Sequence, residues 1–153
     1  MTARRGSDLQ QLEARIRTIR GEPVMLDDDL AAVYKVSTRA LNQAIRRNRK
    51  RFPEDFAFRL SEEEFAALRS QSVISNPGRG GRRYPPWAFT EHGAIMAASV
   101  LNSPRAVEMS VFVVRAFVRL RDFARTHATE LERRVARHEE GLRQTLARPE
   151  EDP

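Results

Sequence analysis

From Asp27 to Pro53 the chain reads DDDLAAVY, then KVS, then TRALNQAIRRNRKRFP. Two helix-forming stretches are separated by three residues, which forces the second helix to turn sharply against the first and leaves room for little but a helix-turn-helix pair. The sequence predicts Asp27 as an N-cap with Asp28 and Asp29 in the first turn, where the helix dipole favours negative charge, and a short helix over 27–34. Lys35-Val36 breaks it. Ser37 caps a second helix running to about Arg49, which the Phe52-Pro53 pair ends.

On a helical wheel, Ser37, Leu41, Ala44, Ile45, Asn48 and Phe52 fall on one stripe, with Arg39, Asn42, Gln43, Arg46 and Lys50 opposite. One face suits a core and the other a partner. The outward face offers Arg for guanine edges and Asn and Gln for adenine edges, the donors that match a DNA major groove. Thr38, Arg39, Asn42, Gln43 and Arg46 are therefore the candidate base readers. Arg47, Arg49, Lys50 and Arg51 lie toward the flanks, where phosphates would set affinity and salt dependence. A solvated helix face usually mixes signs, but residues 30–53 hold seven basic residues and no acidic one.

The segments around this pair read as an α+β domain followed by a long helix. Residues 1–14 are polar and predict at most a short helix near Leu9–Arg15. Ile16–Ile19 and Val24–Leu26 flank Gly21-Glu22 as a small hairpin, with Pro23 confined to an edge. In DFAFRLS, period two sends Phe56, Phe58 and Leu60 inward and Ala57 and Arg59 outward. Ser61 with Glu64 forms a capping box opening a helix to about Ser70, with Phe65 and Leu68 facing the core. QSVISNPGRGG is a loop, and RRYPPWAFT an extended segment in which Trp87 and Phe89 suit core packing better than base stacking. Arg79, Arg82 and Arg83, on the Gly-rich stretch 76–83, suit either a wing lying on DNA backbone or an ordinary surface loop. Thr90 caps a helix to about Leu101. Asn102-Ser103-Pro104 then supplies a stop, a cap and a first-turn proline for a long helix reaching about Phe123, and with weak interruption Leu146.

Along that last helix Val114, Phe117, Ala124, Ala128, Leu131, Val135 and Leu142 recur at close to 4-3 spacing, interrupted by Arg121 and His138. Both a coiled-coil homodimer and a solvated helix packing only by its first half fit that pattern. PEEDP at the end has the composition of a disordered tail.

A net charge of +6 and a sequence pI near 10.8 favour an anionic partner. Lys35 and Lys50 are the only lysines among 27 basic residues. The chain has no Cys, so disulfides, thiolate metal sites and a cysteine nucleophile are excluded. The first residues have no apolar signal core and no long apolar run occurs, so the expectation is a soluble, cytoplasmic protein. His92, His127 and His138 are scattered, no Ser sits in an activating motif, and capping explains the acidic triplet 27–29 without a metal. We therefore expect no enzyme activity, no cofactor and no metal.

Five ordered blocks resemble the ORF6N domain, a family related to the KilA-N type of phage and prophage DNA-binding modules. They are I-R-G-x-x-V-M-L-D-x-D-L-A-x-x-Y (Ile19–Tyr34), L-N-Q-A-I-R-R-N (Leu41–Asn48), R-F-P-E-D-F-A-F-R-L-S-E-E-E (Arg51–Glu64), G-G-R-R-Y-x-P-W-A-F-T-E-H-G (Gly80–Gly93) and L-N-S-P-R-A-V-E (Leu101–Glu108). The resemblance covers about residues 14–123, leaving 124–153 as a C-terminal helical extension. It implies a bacterial or phage protein that binds double-stranded DNA, and it carries no catalytic residues. Lys35 stands where such sequences have Gly, and a left-handed turn there costs a non-Gly residue about 1 kcal/mol. Glu91-His92-Gly93 stands where E-Q-G is usual. The expected function is a phage-type transcriptional regulator; the alternative is an antirepressor that occupies another protein, and RNA binding is a weaker third reading.

Overall fold

The computed structural model describes residues 2–72 and 84–147. Its described part is α+β: six α-helices and a four-stranded antiparallel sheet. In chain order these are α1 (Thr2–Arg15), β1 (Ile16–Ile19), β2 (Glu22–Leu26), α2 (Asp27–Tyr34), α3 (Thr38–Arg47), β3 (Ala57–Arg59), α4 (Glu62–Ser72), β4 (Trp87–Phe89), α5 (Glu91–Leu101) and α6 (Pro104–Ala147). The chain forms two compact units, residues 1–117 and 118–153.

The hairpin forms as expected. Its turn places both Arg20 (φ 57°) and Gly21 (φ 75°) in the left-handed region, which matches the twist of two-residue hairpin loops. Strand order is β1-β2-β4-β3. β4 pairs β2 only at Met25 and Leu26, so Pro23 meets a neighbour on the β1 side alone. The register aligns Met25 with Phe89 and Ala57, and Leu26 with Ala88 and Phe58.

That register separates two cores. Met25, Phe89 and Ala57 join the helical core of Leu30, Tyr34, Leu41, Ile45 and Phe117, while Val24, Leu26, Ala88, Phe58 and Leu60 form a second cluster with Leu68 of α4 against it. The expectation that Ala57 points outward is corrected, for it is buried. Apolar layers cover both faces of the sheet here, so alternation divides one core from another rather than core from water. Only Arg59 reaches solvent on β3.

The expectation of at most a short helix near Leu9–Arg15 is also corrected. α1 spans fourteen residues, with Leu12 buried and Leu9 packed on the helical core. Two apolar residues three apart suffice to seat an otherwise polar helix.

Capping residues account for most helix starts. Ser61 and Glu64 make the reciprocal capping box, with Ser61 N donating to Glu64 Oε1 at 2.8 Å and Glu64 N donating to Ser61 Oγ at 3.1 Å. Arg20 in the hairpin turn then grips the same carboxylate, Nε to Oε2 and a terminal nitrogen to Oε1, both at 2.9 Å, while its guanidinium lies 4.2 Å over the Phe58 ring. Donation from Arg20, then from Ser61, holds the Glu64 carboxyl down at about 2. Ser103 Oγ accepts from Ala106 N at 3.1 Å before Pro104, and Asn102 ends α5 with φ 47°. The buried Tyr34 hydroxyl donates to Ala94 O at 2.8 Å, tying α2 to α5, and burial raises its pKa.

α5 starts on a close approach. Thr90 N and Oγ1 both donate to Phe56 O, at 3.0 and 3.2 Å, and Oγ1 also donates to Asp55 O at 2.8 Å. A Cβ on Gly93 would be driven into that same Phe56 carbonyl, so only glycine lets α5 begin there.

Gly93→Ala should therefore destabilise the protein by about 2–4 kcal/mol in urea unfolding, where an ordinary helical Gly→Ala stabilises. The depressed Glu64 carboxyl contributes stability that is present above about 4.5 and is lost as pH falls through about 2. Glu64→Gln should lower stability at neutral pH and remove that part of the acid loss, read as a flatter dependence of the unfolding midpoint between pH 4.5 and 2.

Candidate nucleic-acid interface

The site is built on how α3 is held. α2 ends with Lys35 in the left-handed region (φ 57°, ψ 43°), and two bonds close the turn: Val36 N donates to Ala31 O at 3.0 Å, and Lys35 N to Ala32 O at 3.3 Å. The sharp turn usual with glycine is thus kept by a lysine, at a local cost in backbone strain. Ser37 Oγ then accepts from Ala40 N at 3.0 Å and starts α3.

Leu41 and Ile45 are buried, with Phe52 beyond them, Ala44 and Asn48 are half-buried along the margin, and Ser37 at the start is exposed. This is the inner stripe read from the sequence. α3 stops at Arg47 rather than Arg49: Asn48 leaves helical geometry (φ −120°, ψ 34°) with Nδ2 donating to Ala44 O at 2.8 Å, and a 3₁₀ turn over Arg49–Arg51 carries the chain to buried Phe52.

Of the candidate base readers, Arg39, Gln43 and Arg46 are exposed, while Thr38 and Asn42 are half-buried at the side of the helix. Asn42 is not an outward residue. Its Nδ2 donates to Asp27 Oδ2 at 3.3 Å, and its buried Oδ1 has no hydrogen-bond partner among the described residues. Arg47, Arg49, Lys50 and Arg51 flank the helix end on its solvent side, and Arg49 lies with its guanidinium 4.5 Å over the Trp87 ring. Arg79, Arg82 and Arg83, and the wing expected over 76–83, fall outside the described residues.

Asp27 organises this side of α3. The first residue inside α2 rather than its cap, it follows an extended Leu26 that makes no side-chain cap. It is buried; Oδ1 accepts from Asp28 N at 2.8 Å, and Oδ2 accepts from both Asn42 and the Trp87 backbone N, the latter at 3.2 Å. One carboxylate thus connects α2, α3 and β4.

Between α3 and the β3–β4 edge lies an open groove of about 520 Å³, with Thr38, Asn42 and Arg46 on one wall and Arg59, Tyr84 and Trp87 on the other. Tyr84 is 70% exposed. Arg59 anchors its Nε on Pro85 O at 3.3 Å. Sequence reasoning alone does not place Arg59, Tyr84 and Trp87 at the site. The alternation of β3 does mark Arg59 as outward, but its pairing opposite Trp87 is a tertiary fact.

The exposed surface of α3 and its 3₁₀ turn can therefore present guanidinium groups and one amide to an anionic, hydrogen-bonding partner, with an aromatic-walled groove beside them. Asp27→Asn tests the support. The substituted amide keeps one acceptor oxygen where the carboxylate has two, so its NH2 must face either Asp28 N or the Asn42–Trp87 pair, and unfolding should cost about 2 kcal/mol less despite unchanged size, with an altered Trp87 emission in the native state.

Neither a curated protein nor a solved structure matches the chain. The family model for the ORF6N domain matches residues 14–100, from the end of α1 through nearly all of α5, and so takes in the second cluster, most of the helical core, the α2–α3 pair and the groove. The chain belongs to the ORF6N domain family.

Proposed function

We propose that this protein binds double-stranded DNA as a transcriptional regulator of phage or prophage type, with α2 and α3 as a helix-turn-helix and α3 as the recognition helix. The observation that carries the reading is the outer side of α3 and the following turn: Arg39, Gln43, Arg46, Arg47, Arg49, Lys50 and Arg51 line it, with no acidic residue anywhere in residues 30–53. Arg39, Gln43 and Arg46 read base edges. Arg47, Lys50 and Arg51 lie on phosphates, and Arg49, stacked on Trp87, is prearranged to do the same. Thr38 and Asn42 sit at the margin, Asn42 as a positioning residue through Asp27. Arg79, Arg82 and Arg83, outside the described residues, add three cations for phosphate contact.

A second reading, an antirepressor that occupies another protein, is favoured by an apolar cleft of about 310 Å³ formed by Phe56, His92, Ile95, Met96 and Ser99. It needs no DNA contact.

Because Trp87 is the single tryptophan and carries Arg49 on its ring, DNA binding is followed by its fluorescence. Log affinity should fall linearly with log salt. Arg39→Ala with Gln43→Ala should remove sequence preference, at about 1–3 kcal/mol for each base no longer read, while Arg47→Ala or Arg51→Ala should weaken all sequences alike and reduce the salt slope by about 1 each. Unchanged affinity and preference in the double variant would overturn the recognition-helix assignment. Absence of binding at moderate salt, with retention of a repressor protein, would favour the second reading.

A further inference from the structure

The first half of α6 is consumed by its own unit. Ala106, Val113, Ala116 and Phe117 are buried, so Phe117 cannot serve in a seam between molecules, and Val114 is half-buried. From Arg121 to Leu146 every residue is exposed, including Leu131, Val135 and Leu142 at 58%, 55% and 50%. Ala124, Ala128, Leu131, Val135, His138 and Leu142 recur at spacings of four, three, four, three and four, so they form one continuous stripe along the helix, as in a two-stranded coil. An isolated helix with such a stripe leaves in water apolar surface that a partner would cover.

We propose that this stripe pairs with the same stripe of a second copy, as a parallel coiled coil over residues 124–146. The charges flanking the stripe select both the occupant and the direction. With Ala128, Val135 and Leu142 at the first core position of each heptad and Leu131 and His138 at the second, Arg134 flanks the seam on one side and Arg125, Glu132 and Glu139 on the other. Parallel pairing of two identical helices places Arg134 of each copy beside Glu139 of the other, twice by symmetry. Antiparallel pairing over the same residues sets Glu132 of each copy against Glu139 of the other. Arg134 already bonds Glu130 on its own helix at 3.0 Å, which draws the guanidinium along the helix surface without neutralising the second carboxylate it can meet. A different helix would need a matching stripe and the same charge order, and this chain supplies both to itself.

Parallel pairing joins two copies of residues 1–117 at the same end of the coil. On the DNA-binding reading of α3, that makes the protein bivalent; the pairing itself does not depend on that reading.

The absence of native cysteine makes the test direct. In the full chain, Val135→Cys should form a disulfide-linked dimer under mild oxidation with about tenfold or greater preference over Arg137→Cys, which points away from the seam. The unmodified protein should show twice its 17.5 kDa mass by light scattering, falling to the single mass on dilution. Leu131→Asp with Leu142→Asp should be a monomer whose Trp87 emission and thermal unfolding of the N-terminal unit match the parent, which excludes a folding defect. A monomeric parent, or equal crosslinking at 135 and 137, would overturn the proposal whatever DNA binding shows.

Discussion

The Asp27 carboxylate is the interaction on which the geometry of the candidate interface depends. A buried charge is costly unless its lone pairs are met, and among the described residues donors from three elements meet them: the α2 amide of Asp28, the α3 side chain of Asn42 and the β4 backbone at Trp87. Each such bond to a charged group is worth roughly 1.5–3 kcal/mol, and breaking one leaves the others misaligned. The apolar contacts of Leu41 and Ile45 fix how deep α3 sits, but apolar contacts tolerate sliding. The directional bonds of Asp27 set its rotation and its distance from β4, and so the width of the groove between Arg46 and Arg59.

The rest of the N-terminal unit supports that arrangement from behind. Three-residue strands give few ladder bonds, so the sheet relies on being covered on both faces by separate apolar clusters. Phe56 O, receiving Thr90 and crowding Gly93, fixes α5 against the start of β3. α5 in turn holds Tyr34 at the end of α2, immediately before Lys35 bends the chain into α3. Strain at Lys35 is tolerated because its neighbours on both sides are anchored: Tyr34 to α5 and Ser37 to the first turn of α3.

What is legible in the sequence is local. Ser37, the Ser61–Glu64 box, Thr90 and the Ser103-Pro104 pair mark the helix starts because each acts within three residues of itself. The inner stripe of α3 is legible for the same reason, being a property of one helix. The double role of Asp27 is not, since its bond to Trp87 spans sixty residues and the local reading of an acidic triplet before a helix is sufficient in itself. The outward placing of Asn42 fails as a consequence, because its wheel angle lies near the boundary of the two faces and only Asp27 decides which way it turns. The outward reading of Ala57 fails because alternation reports that two faces differ, not that one of them is wet. Among the described residues the apolar seating of α1 rests on Leu9 and Leu12, too few apolar residues to stand out against a polar background.

The residues of α3 divide into those that hold the helix and those that face outward, and the two sets barely overlap. Leu41, Ile45, Asn42 and the following Phe52 are tied to the core or to Asp27; Arg39, Gln43, Arg46 and Arg47 lie outside the buried core. Substitutions in the second set change what the surface offers at little expense in stability, since exposed polar positions on a helix typically alter it by under about 0.5 kcal/mol. Arg49 is the exception among these cations. Stacked on Trp87, its guanidinium already has reduced conformational freedom, which lowers the entropic cost of holding that charge in one place. A rigid scaffold with a freely variable outer stripe is the arrangement that lets one fold recognise different partners by changing a handful of side chains.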